Sequence, residues 1–332
     1  MNATMKSLME NLAVLEPQVY RHITVLPLAA RPPAANGYVT MSEAMGAGWL
    51  TVTEVSQGGS VPNLKVINLA DKPVLLLDGE ELVGAKQNRV LNTSILLKEK
   101  SETVVPVSCV EQGRWSYASA NFSPADVVMS KKARSSKNRS VTESLACSLR
   151  FCSDQGEVWN EIQALHEKAG SHSPTGAMHQ AFEALAQELD RCLQACPPVA
   201  GQTGLLVIVD QEVAGFDLLT QPEAYARLHA KLLKSYALEA LVEPSRGGPP
   251  DAEGCRARAR EFLARAAAAE EQAFPSVGCG TDYRYRRPGL TGSALVHDGK
   301  VIHAAFFHLP ESPDSRSDSM ASLRQRRRNL GL

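Results

Sequence analysis

Val74-Leu75-Leu76-Leu77-Asp78-Gly79-Glu80-Glu81-Leu82-Val83-Gly84-Ala85-Lys86-Gln87-Asn88-Arg89 joins an apolar run to a dense polar block, and a second strand-like run, Val90 to Leu97, follows at once. Short β-rich runs with no helix between them argue for an antiparallel sandwich or barrel. Seven of the twelve residues from Asp78 to Arg89 carry a charge or a carboxamide, and two more are glycines. Gly79 and Gly84 permit turns that other residues resist. The block reads either as a polar hairpin whose charges satisfy one another or as a functional site.

Outward from this stretch, further candidate strands are His22–Leu28, Trp49–Val55, Leu64–Asn68, Val74–Leu77, Arg89–Leu97 and Thr103–Val110. They are rich in Val, Ile, Leu and Thr and are bounded by turn signals such as Gln57-Gly58-Gly59-Ser60. Ser42–Gly46 suits a short helix. Residues 1–120 therefore read as a β-rich domain carrying the polar motifs. Residues 121–150 hold Lys131, Lys132, Arg134, Lys137 and Arg139 with few apolar neighbours, and read as a basic loop or linker. A basic run can supply electrostatic affinity for phosphates without sequence readout.

Residues 151–310 read as a helix-rich α+β domain. Glu157–Ala169 and Ala177–Cys196 carry apolar residues at helical spacing, and Pro197-Pro198 stops the second. Leu205–Val209 and Val213–Leu218 form a hairpin. Thr220-x-x-Glu223 is a capping box for a helix reaching about Leu241, and Asp251 caps another running to about Glu270. Asp298-Gly299 between Ser293–His297 and Lys300–Phe307 signals a second hairpin. The two hairpins predict one antiparallel sheet of about four strands with helices on one face. Asp282-Tyr283-Arg284-Tyr285-Arg286-Arg287 reads as an exposed strand with capacity for stacking and phosphate contacts. Residues 311–332 lose the apolar pattern and read as a disordered basic tail.

The chain has 332 residues, 44% hydrophobic and 21% charged, with net charge −1. These values suit a globular protein and give no global pull toward nucleic acid or an anionic membrane. No apolar run approaches the ~20 residues of a membrane span. The N-terminus lacks a signal-peptide pattern, and seven scattered cysteines without a CxxC fit reduced thiols. The expected location is therefore cytoplasmic.

Three carboxylates are candidates for acid–base chemistry: Glu80, Glu81 and Glu111. Candidate ligand-binding residues are Asp78, Lys86, Gln87, Asn88, Arg89, Gln112, Arg114 and Trp115. Lys86, Arg89 and Arg114 suit an anion, the arginines through a planar fork. Gln87 and Asn88 offer amide groups, and Trp115 a stacking plane or a core edge. Cys109 sits in an apolar run and reads as an inert thiol. The eight histidines show no metal spacing, and no metal, nucleotide-loop or serine-hydrolase motif is present. If Arg89–Leu97 pairs with Thr103–Val110, the two polar blocks converge.

The run Leu77–Arg89, with Val105-Pro106-Val107-Ser108-Cys109-Val110-Glu111-Gln112-Gly113-Arg114-Trp115, resembles the ARG and Rhodanese-Phosphatase-superfamily-associated protein family (ARPP-1). Gln155-Gly156-Glu157-Val158-Trp159, Ala214-Gly215-Phe216-Asp217 and Leu232–Ala240 are similar too, so the resemblance spans about residues 12 to 310. It implies a place in NAD or ADP-ribose metabolism and brings no catalytic residues or cofactor with it. The expectation is a protein that acts on or binds an ADP-ribose-like or other phosphorylated nucleotide. The alternative is a non-catalytic protein–protein interaction or assembly module.

Overall fold

A computed structural model describes residues 1–30, 37–249 and 251–310; the basic tail lies outside the described residues. The chain opens with α1 (Ala3–Glu10), β1 (Ala13–Val14), β2 (Gln18–Tyr20) and β3 (Ile23–Ala29). Next come β4 (Val39–Thr40), α2 (Met41–Gly46), β5 (Leu50–Glu54), β6 (Asn63–Asn68), β7 (Val74–Leu76), β8 (Glu80–Gly84), β9 (Arg89–Leu91), β10 (Ile95–Leu97), β11 (Ser101–Cys109) and β12 (Phe122–Val128). Four helices follow: α3 (Lys131–Ser148), α4 (Gln155–Ala169), α5 (His179–Ala184) and α6 (Ala186–Ala195). The remainder is β13 (Gly204–Val209), β14 (Glu212–Leu219), α7 (Pro222–Val242), α8 (Ala252–Ala267), β15 (Glu270–Pro275), β16 (Thr281–Arg287), β17 (Leu290–His297) and β18 (Lys300–His308). The fold is α+β, as expected.

In the first half, β12-β8-β9-β11-β6-β5 form an antiparallel six-stranded sheet, and β10-β7-β4 form a three-stranded one. Both contribute to a single core that includes Val52, Val66, Leu76, Leu82, Leu91 and Val107. β5 and β6 alternate buried and half-buried residues, the mark of strands with one covered face. The expected strand Arg89–Leu97 is two strands. Asn92-Thr93-Ser94 interrupt it, so β9 pairs with β11 and β10 with β7.

The second half is built on a nine-stranded sheet, not one of about four strands. Its order is β1-β3-β13-β14-β18-β17-β16-β15, with β2 also paired to β3. The strand expected at His22–Leu28 thus pairs with β13 rather than with the N-terminal unit. Helices cover both faces, not one. Leu205 and Val207 pack with Leu228, Leu232 and Tyr236 of α7. Leu206, Ile208 and Phe216 pack with Met5 of α1 and Phe262 of α8. Double coverage is why β13 reads as an unbroken apolar run without alternation.

Several local expectations change. The basic segment is not a loop: β12 and α3 occupy it. Arg134, Lys137, Asn138, Val141 and Leu145 form a helically spaced buried stripe whose first half is polar, which hides it from hydrophobic periodicity. The helix expected over 177–196 breaks at Leu185 into α5 and α6. Thr220 does not cap α7; Gln221 holds that position, and the Thr220 hydroxyl donates to the Val301 carbonyl (2.5 Å). Asp251 does cap α8, accepting from the Gly254 N–H. Asp298 and Gly299 both have positive φ, as the hairpin signal requires. Strand β16 is interior, with Asp282, Arg284 and Tyr285 buried, because β15 takes the edge. Among the described residues no helix is long and apolar enough to cross a membrane.

Candidate functional site

The polar block is not a solvated hairpin. Asp78, Glu80, Glu81, Gln87, Asn88 and Arg89 are all buried. Successive side chains of a strand point to opposite sides, so β8 sends Glu80 and Glu81 into different surroundings. Glu80 takes the Lys231 ammonium (2.9 Å) and the Leu77 N–H (3.0 Å). The Asp78 carboxylate accepts from Lys137, whose ammonium also reaches the carbonyls of Leu91 (3.0 Å) and Asn92 (3.2 Å). Beside it Arg134 grips Asp217 through two N–H groups, at 3.0 and 2.6 Å. His303 (3.0 Å) and the Tyr236 hydroxyl (2.7 Å) complete the shell around Asp217. Asp78 and Glu80 therefore anchor α3 and α7 and lie outside the lining of the cleft described below.

Ser94, His303 and Asp217 are linked in the order of a nucleophile–base–acid relay, with Ser94 Oγ 2.8 Å from His303 Nδ1. Ser94 is only 5% exposed, however, and its hydroxyl accepts the Asp78 N–H. Access, not connectivity, removes it from consideration as a nucleophile.

Glu81 points instead to His179 at the start of α5. Its Oε1 lies 3.4 Å from Nδ1, behind a cleft of about 630 Å³. The cleft is lined by Asn88, Glu111, Arg114 and His179 and by apolar residues that include Phe182 and Leu189. Lys234, Asp126 and Glu183 also face it. Asn88 Oδ1 accepts from the Gly84 N–H and from Arg114 (both 3.1 Å), which turns its amide nitrogen toward His179 Nδ1 (3.3 Å). Glu111 takes Arg114 (2.6 Å), the Asn88 N–H (3.1 Å) and the Thr175 hydroxyl (2.8 Å).

These contacts sort the carboxylates. Burial alone would raise Glu111, but the bonds from Arg114 and Thr175 outweigh it and hold the acid below the usual range. Burial pushes Glu81 upward, against the opposing pull of His179, and its second oxygen has no partner. The hydrogen bond with Glu81 raises the His179 imidazolium in turn. A single Nδ1 cannot donate to Glu81 and accept from Asn88 at once. Nδ1 therefore serves one of these neighbours at a time, and its contact with Glu81 is an ion pair when the imidazole is protonated. A cation beside a carboxylate favours its ionised form. Glu81 lacks a guanidinium, because Arg114 goes to Glu111, and burial prevails.

The remaining expected residues lie elsewhere. Lys86 donates to the Gly58 carbonyl (2.7 Å) and sits over Trp115 (5.1 Å) and Tyr117 (5.2 Å). Arg89 lies beneath Trp115 (5.7 Å), bonded through Nη1 to Gln87 (3.1 Å), while its Nε and Nη2 have no partner. Gln87 reaches the Glu111 carbonyl (3.1 Å), and Gln112 is exposed. Cys109 is buried opposite Arg89. The structure brings Glu81, Asn88, Glu111 and Arg114 together and keeps Asp78, Glu80, Lys86 and Arg89 out of the cleft wall. Sequence reading missed His179, Phe182 and Lys234. Nothing local distinguishes His179 from His166, which bonds Ser171 (2.7 Å) and the Ala177 carbonyl (3.2 Å).

Gly84 sits where this arrangement admits no side chain. It has φ +119°, and a Cβ there would meet Ser119 Oγ at 2.4 Å and the Asn121 carbonyl at 2.9 Å. Gly84→Ala is expected to cost about 1–3 kcal/mol and to displace Asn88. Denaturant unfolding with unchanged stability would contradict this.

Among the described residues no group of three or more His, Cys, Asp or Glu is placed to hold a metal ion. The family model described as ARG and Rhodanese-Phosphatase-superfamily-associated Protein domain matches residues 11–307. No curated protein and no solved structure matches the chain.

Proposed function

The chain belongs to the ARPP-1 family, and from that premise and the Glu81–His179 cleft we propose that it binds a phosphorylated nucleotide ligand of the ADP-ribose type and transfers a proton on it. The family's association with ARG and rhodanese–phosphatase proteins gives a loose link to ADP-ribose metabolism. The observation that carries the chemical part is the contact between Glu81 and His179. His179 is partly exposed at the cleft, and a fully buried carboxyl stands behind it.

In this reading His179 is the catalytic acid–base, and Glu81 is a positioning residue that sets its proton. Asn88 orients the imidazole. Lys234, together with protonated His179, attracts phosphate, while Phe182 and Leu189 cover the less polar part of the ligand. A cleft of this size, mostly apolar with a few convergent polar groups, suits a small organic ligand. Arg114 is committed to Glu111 and three carbonyls, so it braces the site more than it holds phosphate. The cytoplasm, where such ligands are made and consumed, is the proposed location.

The test is thermal-shift titration with ADP-ribose, NAD, AMP and ribose 5-phosphate, with and without Mg²⁺. A ligand at a hundred times its Kd adds about 2.7 kcal/mol to stability. A saturable shift that weakens in Lys234→Ala is the expected outcome. No shift with any of the four removes the nucleotide reading and favours the interaction module.

A further inference from the structure

Strand β12 runs out of step with β8 at the wall of the cleft. Pro124 pairs with Leu82 and Val128 with Glu80, so four steps along β12 match two along β8. The two extra residues form a bulge. Side chains of a regular strand alternate between its faces, so three in succession do not line one cavity. Ala125, Asp126 and Val127 nevertheless all line the cleft, because the bulge re-aims them. Val127 belongs to the core behind the wall, whereas Asp126 is exposed.

Most charges of the cleft are already committed. Arg114 and Glu111 satisfy each other (2.6 Å), and His179 faces Glu81. One turn beyond His179 on α5, Glu183 adds to the pull of Glu81 on the imidazolium. Lys234 and Asp126 remain. Lys234 is half-buried in α7, with buried Leu233 and Ser235 on either side of it in the chain. Among the described residues neither Lys234 nor Asp126 has a hydrogen bond or an ion pair, although both face the one cleft. A ligand between them meets both needs. A phosphate answers the ammonium. The carboxylate beside that phosphate repels it unless the same ligand gives the carboxylate hydrogens to accept. An ionised carboxylate is an acceptor only, with two oxygens, and the neighbouring hydroxyls of a ribose match it. Dinucleotide-binding folds use an acidic side chain on a ribose hydroxyl in the same way.

We propose that Asp126 is the specificity-determining residue of the cleft and selects a ligand with a free ribose diol, its carboxylate accepting the hydroxyls while Lys234 takes the phosphate. This rests on the nucleotide reading of the cleft and narrows it to ribose phosphates, against their deoxyribose counterparts. The bulge has a function in these terms: it brings an acceptor to a wall that the regular strand would have left without one.

Calorimetric titration of the full-length protein in a phosphate-free buffer tests this with two matched pairs: ribose 5-phosphate against 2-deoxyribose 5-phosphate, and AMP against 2′-deoxy-AMP. Each ribose form is expected to bind about ten- to a hundredfold more tightly than its deoxy partner, the worth of a hydrogen bond to a charged acceptor. Asp126→Ala is expected to bring that ratio close to one by weakening the ribose forms and sparing the deoxy forms. A merely structural loss would weaken both alike. The side chain is exposed, so the variant should keep its fold. Glu183→Ala is expected to leave the ratio as it is. Equal binding of ribose and deoxyribose forms to the unaltered protein overturns the diol assignment and leaves the nucleotide reading standing. A ratio that survives Asp126→Ala, or collapses in Glu183→Ala, overturns the assignment to Asp126. Binding by none of the four overturns the nucleotide reading and this inference with it.

Discussion

His179→Ala is expected to remove about a hundredfold to ten-thousandfold of any proton-transfer-limited rate at the cleft. The imidazole is partly exposed, so its loss should leave the fold intact. Glu81→Gln separates catalysis from packing. Both members of the pair have raised values, Glu81 through burial and His179 through its bond to Glu81. For His179, stabilisation by the carboxylate is complete below the ordinary imidazole value and is lost as pH rises through the raised one. Glu81 has the same sign: its contribution is complete below the ordinary carboxyl value and falls as pH rises through its raised one. In Glu81→Gln the imidazolium loses its counter-charge, so the titration of His179 should move to lower pH, and the basic limb of a pH–rate profile should move with it. An NMR titration of the His179 ring measures this without a known substrate. An unmoved midpoint would sink the electrostatic coupling of Glu81 to His179. A moved midpoint with full activity would make the pair structural only.

Asp217→Ala should cost about 3–5 kcal/mol of stability, because it leaves the buried Arg134 guanidinium only the more distant Asp78 carboxylate (3.8 Å) and leaves His303 and Tyr236 without their acceptor. The double variant with Arg134→Ala should lose less than the sum of the single losses, since the second change removes the stranded charge. Additive losses in denaturant unfolding would show the pair to be uncoupled. Burial opposes ionisation of Asp217, but the Arg134 guanidinium beside it and the His303 bond hold the carboxyl well below the usual carboxylate range. A depressed carboxylate contributes stability that is present above its unfolded value, ~4, and lost as pH falls through its folded one. The gap between wild type and Asp217→Ala should therefore hold from neutral pH to about 4 and shrink only in stronger acid.

Most of the secondary structure was legible because its signals are local. Strands β5 and β6 follow from alternation, α4 from its apolar stripe, and the β17–β18 turn from Asp298-Gly299. The errors came where a local rule was overridden. The polar half of the α3 stripe looked like a linker because its partners, Asp78 and Asp217, lie 59 and 83 residues away. The unbroken apolar run of β13 was the available sign that helices cover both faces of the large sheet.

The two polar motifs of the sequence meet in space, but not through all of their residues. Glu81, Asn88, Glu111 and Arg114 do converge, because β9 pairs with β11 and brings the two motifs side by side. Asp78, Glu80, Lys86 and Arg89 share those motifs but serve other contacts. Strand alternation could have separated Glu80 from Glu81, though not shown which of them meets water.

The sequence by itself determined the α+β class, the hairpins, most element positions and the family, all of which depend on patterns within a few tens of residues. The tertiary structure alone decided which charges are structural and which face a cavity. Glu80 meets Lys231 from 151 residues away, and Glu81 meets His179 from 98. A carboxylate's behaviour depends on its burial and on the charge beside it, and both are properties of neighbours in space.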